Sequence, residues 1–143
     1  MPYRRAVEAD EARQRFLASP VARLATVRPD GAPHLVPVVF AAEDDVVYTV
    51  VDTKPKRTTR LQRLANLRSQ PRCALLVDHY DADWSRLWWV RVDGEARVVN
   101  EPPSSHRGLD LLAARYPVYA DARPSGPLVV VNVNRWSGWS AAS

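Results

Sequence analysis

The chain has 143 residues, of which 46% are hydrophobic and 25% are charged, with a formal net charge of +4. This composition is typical of a globular protein, and the length is typical of one domain, expected here over residues 1–143. It excludes a disordered or fibrous chain, and no apolar run approaches the roughly 18 residues that span a bilayer. With no secretory signal and a single cysteine, Cys73, the sequence predicts a cytoplasmic protein without internal disulfides.

The first third of the chain predicts one helix and three strands. Residues 8–18 are rich in helix formers, and a Ser-Pro pair follows them. Strand-like runs cover residues 21–28, 34–42 and 46–51, and turn residues separate each run from the next. Because these turns are short, the three strands are predicted to form an antiparallel meander.

The remainder alternates helices with strands. Apolar spacing predicts a helix from about Pro55 to Ser69 and another over residues 104–115, followed by a proline-rich loop over residues 116–127. Further strands are predicted at residues 73–79, at 87–99 with a bulge or bend at Gly94, and at 128–136. Six antiparallel strands usually close on themselves, so the predicted class is mostly β, a six-stranded antiparallel barrel with flanking helices.

The positive charge is concentrated in one segment. Residues 53–77 contain seven lysines and arginines and no acid, which leaves 13 bases against all 16 acids elsewhere. Lys54, Lys56 and Arg57 stand where the predicted helix would begin, and cations there oppose the helix dipole. A bound anion would make the interaction of these cations with the helix start favourable overall, which would indicate an anion-binding site. The alternative is that the cations form a solvated surface that binds no ligand. The segment has no interleaved aromatic residues, so a nucleic-acid partner is not expected.

Two apolar features are typical of a cofactor surface but have plainer explanations. Pro37 interrupts the run Val36–Val39, so that backbone could face a ligand, although an edge strand of the core would also accept a proline. Trp88 and Trp89 are adjacent on a predicted strand and must point to opposite faces. One of them therefore contacts the core, and the other is expected to meet solvent, a ligand or a partner.

Other catalytic motifs are missing from the sequence. The three histidines are scattered without the spacing of metal ligands, so no metal site is predicted. No glycine-rich phosphate loop and no nucleophile elbow is present. His79 stands beside two aspartates and could donate a proton or simply end a strand. No residue is therefore assigned a catalytic role, and any reactive atom would belong to a cofactor.

Several strings, in order, resemble the pyridoxamine 5′-phosphate oxidase-like flavin and deazaflavin proteins. The resemblance covers roughly residues 22–139, and its later part is narrower, resembling the actinobacterial branch assigned to the deazaflavin coenzyme F420. The strings of the wider family are Ala22–Val27 with Pro29-Asp30-Gly31, His34–Phe40, Thr53–Arg57, and Asn66-Leu67-Arg68 with Pro71-Arg72. Those of the F420 branch are Asp78–Asp81, Trp84–Gly94 and Arg135–Trp139.

The resemblance implies a split β-barrel homodimer with a cofactor at each subunit junction and hydride transfer from reduced F420 to an electrophilic small molecule. It implies that the phosphate lies near Lys54, Lys56 and Arg57, with Arg60 a further contact. It also implies two other groups of contacts. The ring would lie against Pro37, Val38 and Val50, with Thr49 a polar contact, and Trp88 and Arg91 would approach the cofactor of the neighbouring subunit.

Three other functions remain open at this stage. An FMN-binding protein of the pyridoxamine phosphate oxidase type would share the enzyme class, but such oxidases carry further basic contacts and a longer C-terminal segment. A cofactor-sequestering barrel would bind without catalysis. A haem-handling barrel is less favoured, because no axial histidine motif is present.

Overall fold

The computed structural model describes residues 5–51 and 61–141. Within them, eight strands form one antiparallel sheet, and four α-helices flank it. The strands are β1 (Arg5–Ala6), β2 (Ala22–Val27), β3 (Pro33–Val38), β4 (Ala41–Glu43), β5 (Val46–Val50), β6 (Arg72–His79), β7 (Trp88–Val99) and β8 (Leu128–Ser140). The helices are α1 (Ala9–Ala18), α2 (Gln62–Ser69), α3 (Arg107–Arg115) and α4 (Pro117–Asp121).

The sheet curls into a split β-barrel. Its strand order is β3-β2-β6-β7-β8-β5-β4, with β1 added beside β8, so β3 and β4 lie at opposite ends of that order. Yet Val38 ends β3 and Ala41 begins β4, and three Cα steps span at most about 11 Å. The two ends must therefore come close together, at a seam formed by Val39 and Phe40. The predicted barrel class is confirmed, but the predicted number of six strands is wrong: β1 was not predicted, and residues 34–42 contain two strands, β3 and β4.

The predicted strand over residues 34–42 is wrong as one element, because it is divided at this seam. Pro37 was expected at an edge, at a bulge or where no ladder donor is needed, and the structure places it at an edge, because β3 is the terminal strand of the sheet order. At such an edge the missing N–H removes no ladder bond.

The predicted helix start at Pro55 is also wrong for the helix that ends at Ser69. Leu61 is extended, with φ −79° and ψ 145°, and its carbonyl accepts the first hydrogen bonds of α2 from Leu64 and Ala65. α2 therefore begins at Gln62, and its buried face consists of Leu64, Asn66 and Leu67. The apolar spacing predicted a helix that ends at Ser69, but such spacing does not mark where a helix begins.

Three further bounds in the C-terminal half differ from the prediction. α3 begins at Arg107, three residues late, because His106 Nδ1 caps it by accepting from the N–H of Gly108 at 3.0 Å. The predicted loop contains α4, which has Pro117 in its first turn and buries Tyr119. β8 continues to Ser140 because it pairs along the whole of β7.

The predicted irregularity at Gly94 is confirmed as a register shift between β7 and β8. A Cβ at this position would stand 2.5 Å from the backbone oxygen of Asn132 and 2.9 Å from Val131 Cγ1. Glycine is therefore required by the close approach of β8, whose backbone cannot move aside.

Two apolar clusters hold the elements together. The larger joins inward-facing sheet residues to α1 and α2, and in it the rings of Phe16 and Phe40 lie 4.5 Å apart, both fully buried. The smaller packs α3 and α4 against β5 and β8 through residues such as Leu112 and Tyr119. Each such side chain stabilises the fold by roughly 1.5–3 kcal/mol. No helix within the described ranges is long and apolar enough to cross a membrane.

Candidate functional site

A cavity of about 160 Å³ lies at the seam of the barrel. It brings together all four residues predicted to form the ring wall, from the end of β3 and from β5. Three further residues complete it, from the seam, from α2 and from α4. The full lining is Pro37, Val38, Val39, Thr49, Val50, Arg63 and Tyr119.

Two of the valines that line this cavity are firmly held, although its exposed lining is more polar than apolar. Val38 and Val50 are only 6% and 5% exposed, so their positions are set by packing. Thr49 Oγ1 donates a hydrogen bond to the carbonyl of Val39 at 2.8 Å. The hydroxyl proton of Thr49 is thereby committed, and its oxygen remains an acceptor for a ligand donor.

Arg63 brings a positive charge to the cavity, and the sequence reasoning missed it. It is half-buried in the first turn of α2, and desolvation lowers its pKa from the ordinary arginine value. Among the described residues no carboxylate is paired with it. A cation beside a helix N-terminus, lacking a counter-ion, is stabilised by an anionic ligand. Arg63 belongs to the acid-free segment, which indicated an excess of cations. Because the helix was predicted to begin at Pro55, the anion contacts were assigned to earlier cations and not to Arg63.

The other predicted phosphate contacts, Lys54, Lys56, Arg57 and Arg60, lie outside the described residues. Because α2 begins at Gln62, none of the four belongs to its first turn. Among the described residues, the cation in the first turn of α2 is Arg63.

The prediction that one of the paired tryptophans contacts the core is confirmed. Trp88 packs against the larger apolar cluster, stacks on the imidazole of His79 at 6.3 Å, and lies under the guanidinium of Arg15. Trp89 is paired with Trp139 of β8, and the guanidinium of Arg91 lies 5.8 Å from its ring centroid. Trp89, rather than Trp88, thus shares a sheet face with Arg91.

A groove runs along the sheet face that bears Arg91. It consists of two cavities of about 420 and 370 Å³ that share Leu76, Asp78 and Arg91. Leu35 stands in the first and is 66% exposed, which is unusual for a leucine on a sheet face. The second is bordered by aromatic side chains, namely Tyr80, Trp88, Trp89 and Trp139. We call this surface the outer groove.

The remaining reactive side chains are arranged for structure rather than chemistry. His79 Nε2 lies 3.6 Å from Asp81 Oδ2, beyond hydrogen-bond distance. Burial raises the pKa of the Cys73 thiol to about 12, so it stays protonated and unreactive, as its apolar sequence context predicts. Within the described ranges, no three His, Cys, Asp or Glu side chains are grouped to hold a metal ion.

Comparisons with known proteins place these features in context. The model of the family described as pyridoxamine 5′-phosphate oxidase matches residues 9–140. Among solved structures, an FAD-binding protein from Mesorhizobium loti is 22% identical with a TM-score of 0.70, covering 97% of each chain. A conserved hypothetical protein from Mycobacterium tuberculosis is 27% identical with a TM-score of 0.71, covering 94% of this chain and 85% of the other.

A structure described as an F420 reductase is also similar. It is 22% identical to this chain with a TM-score of 0.58, covering 86% of this chain and 94% of its own. No curated protein matches the sequence.

Proposed function

Because the chain belongs to the pyridoxamine 5′-phosphate oxidase family, we propose that it is an oxidoreductase that uses F420. In this proposal, hydride passes from the reduced coenzyme to an electrophilic small molecule. One observation carries it: the seam cavity joins the well-packed Val38 and Val50, the Thr49 oxygen, and a cation, Arg63, that pairs with no carboxylate among the described residues. These are the surfaces that a planar ring with an anionic tail requires.

The side chains at the seam cavity suit such a cofactor chemically, and the cavity is large enough for part of its ring. Arg63, together with Lys54, Lys56, Arg57 and Arg60, would hold the anionic tail, because guanidinium and ammonium groups pair with phosphate and carboxylate. Val38 and Val50 would exclude water from one ring face. The cavity volume of about 160 Å³ is below the roughly 300 Å³ typical of ligand pockets, so one subunit would cover only part of the ring.

The other part of the site would come from a second copy of the chain. The outer groove offers Arg91 and Trp89 of β7 to a partner, and the apolar side chains of Leu35 and Leu76 are exposed there. A homodimer formed across this face would bury Leu35 and bring Arg91, with Trp89 of the same face in place of the expected Trp88, to the cofactor site of the neighbouring subunit. This arrangement is the one that the family resemblance implies.

When bound, the reduced coenzyme supplies the hydride; this chain's residues bind and orient it. Pro37 and Val38 would set the plane of the ring, and the Thr49 oxygen would accept a hydrogen bond from a ring N–H. No described residue is assigned as the proton donor. The rate enhancement would therefore come from positioning the coenzyme against the acceptor in a dry site.

FMN is the alternative cofactor. The structural neighbours include both an FAD-binding protein and an F420 reductase, so the barrel itself accommodates either kind of ring. The strings Asp78–Asp81 and Trp84–Gly94 favour F420, because they resemble the F420 branch of the family.

The test is titration of the purified protein with F420, FMN and FAD, followed by fluorescence. We expect F420 to bind at least about tenfold more tightly than either flavin, a difference of about 1.4 kcal/mol. The reduced coenzyme is then mixed with quinones and enones, and its reoxidation is followed by absorbance. Tighter binding of FMN would favour the alternative, and binding of F420 without any turnover would favour a sequestering protein.

A further inference from the structure

A cluster of polar contacts lies directly behind the seam cavity. The hydroxyl of Tyr116 accepts from the N–H of Phe40 at 3.1 Å and lies 2.8 Å from the carbonyl oxygen of Phe40. Arg115 Nη1 donates to the same carbonyl at 2.9 Å, while Nη2 donates to the carbonyl of Ser19. The guanidinium also covers the Phe40 ring, 4.7 Å from its centroid. We call Arg115 and Tyr116 the seam clamp.

These contacts satisfy backbone that the sheet leaves unpaired. The β2–β3 ladder ends at Val38 and the β4–β5 ladder begins at Ala41, so Phe40 belongs to neither. Phe40 is fully buried, and a buried peptide group without a partner is strongly disfavoured. The seam clamp supplies both a donor and an acceptor at this point, and it thereby fixes the path of the chain between the two strands.

The clamp also holds two parts of the cavity lining. Val38 and Val39, which line it, immediately precede Phe40 in the chain. Tyr119, which also lines the cavity, packs its ring edge-on against the Tyr116 ring, with centroids 5.9 Å apart. One corner, where α3 meets α4, therefore sets both the wall that would face the ring and the position of Tyr119.

We propose that Arg115 and Tyr116 are positioning residues for the cofactor ring, acting through Phe40 and Tyr119 without touching the cofactor. This rests on the proposed function, namely that the seam cavity holds the ring. If the clamp sets the wall, loss of its contacts lowers affinity for the ring and leaves the contribution of the anionic tail unchanged.

The variant Tyr116→Phe tests this, because it removes the hydroxyl and keeps the ring that packs on Tyr119. Dissociation constants are measured for F420, for FMN and for riboflavin, which lacks the phosphate. We expect the dissociation constants of FMN and riboflavin to rise by the same factor, about fivefold, and that of F420 to rise by a comparable factor. Tyr48→Phe, a buried tyrosine outside the cavity, is the matched control and should bind like the wild type.

A purely structural clamp would lower the Tm of Tyr116→Phe but leave the affinities of the folded variant at their wild-type values. That outcome would overturn the inference while the proposed function stood. Absence of binding by the wild-type protein would instead reject the proposed function, and the inference with it. If Tyr116→Phe does not fold, Arg115→Lys keeps the charge and one donor and is expected to show the same loss.

Hydrogen exchange on the wild-type protein gives a second readout that needs no variant. If opening of the seam destroys the ring site, cofactor at about 100 times its dissociation constant should slow exchange of the Phe40 amide by about 100-fold. An unchanged exchange rate at Phe40, with binding verified in the same sample, would show that the seam and the ring site are uncoupled and would overturn the inference.

Discussion

Asp45 and Trp136 are joined by a hydrogen bond of 2.8 Å from the indole Nε1 to the carboxylate Oδ1. The same oxygen accepts from Arg13 of α1 at 2.7 Å. These two contacts, the indole first, lower the pKa of Asp45 below its ordinary value. Since Asp45 stands in the turn between β4 and β5, its carboxylate ties that turn to β8 and to the first helix.

This relationship predicts a pH-dependent stability. Because the folded-state pKa of Asp45 is lowered, its contribution is fully present above the unfolded pKa of about 3.9 and is lost as the pH falls through the folded value. Asp45→Asn should therefore lower the Tm at neutral pH, and the difference from the wild type should shrink as the pH falls below the unfolded pKa of about 3.9. Thermal unfolding followed by circular dichroism measures both.

The neighbouring Asp44 provides the control for that experiment. Asp44 has a positive φ of 54°, which asparagine tolerates, and Asp44→Asn removes the same charge. It should leave the Tm nearly unchanged at neutral and at acidic pH. An equal loss in the two variants would mean that the net charge, and not the contacts of Asp45, is responsible.

Arg63 is expected to bind the anionic part of the cofactor. Arg63→Met keeps the length of the side chain and removes its charge, so we expect the affinity for F420 and FMN to fall more than about tenfold, most strongly at low salt. Riboflavin should bind nearly as it does to the wild type. Arg68→Met, on the same helix but bonded to the side chain of Asn100, should have little effect on any of the three. A uniform loss for all ligands would contradict this role.

Three of the four predicted phosphate contacts that lie outside the described residues lead to a parallel expectation. Replacing Lys54, Lys56 and Arg57 together with alanine should also weaken F420 binding more than about tenfold, again increasingly at low salt. Fluorescence titration over a series of salt concentrations checks this. Unchanged affinity would reject these residues as phosphate contacts and would leave Arg63 as the cation to consider.

Leu35 is expected to lie in a dimer interface. It is 66% exposed on the outer groove, so Leu35→Glu should cost the isolated subunit little but should disrupt a homodimer by placing a charge in its contact. Light scattering at micromolar concentration should give a dimer for the wild type and a monomer for the variant. Leu17→Glu, on α1 and away from the groove, should remain dimeric. A monomeric wild type would refute shared cofactor sites.

Gly94 is expected to tolerate no side chain. Gly94→Ala should destabilise the fold by about 2–4 kcal/mol, because its Cβ would meet the backbone of Asn132 at 2.5 Å. Gly31→Ala has open space but a φ of +89°, and should cost only about 1–2 kcal/mol. Urea unfolding compares the two, and an equal or smaller loss at Gly94 would show that β8 can shift.

The sequence by itself determined the local features of this protein. Periodicity located α1, α3 and most of the strands, but not β1 or the division of residues 34–42 into two strands. Turn residues set the hairpin between β2 and β3, and the acid-free segment marked an excess of cations. Such features depend on residues a few positions apart, so the pattern of apolar and polar side chains reveals them. Pro37, Val38, Thr49 and Val50 were identified together through family resemblance, and the structure brings them to one cavity.

Only the tertiary structure decided how that cavity is completed. The division of the strand at Phe40 follows from barrel closure, which no local pattern encodes. The arrival of Arg63 and Tyr119 beside Val38 joins positions far apart in the chain. Their proximity is set by how α2 and the corner between α3 and α4 pack on the sheet, and by the capping of α2 at Leu61 rather than at an earlier proline.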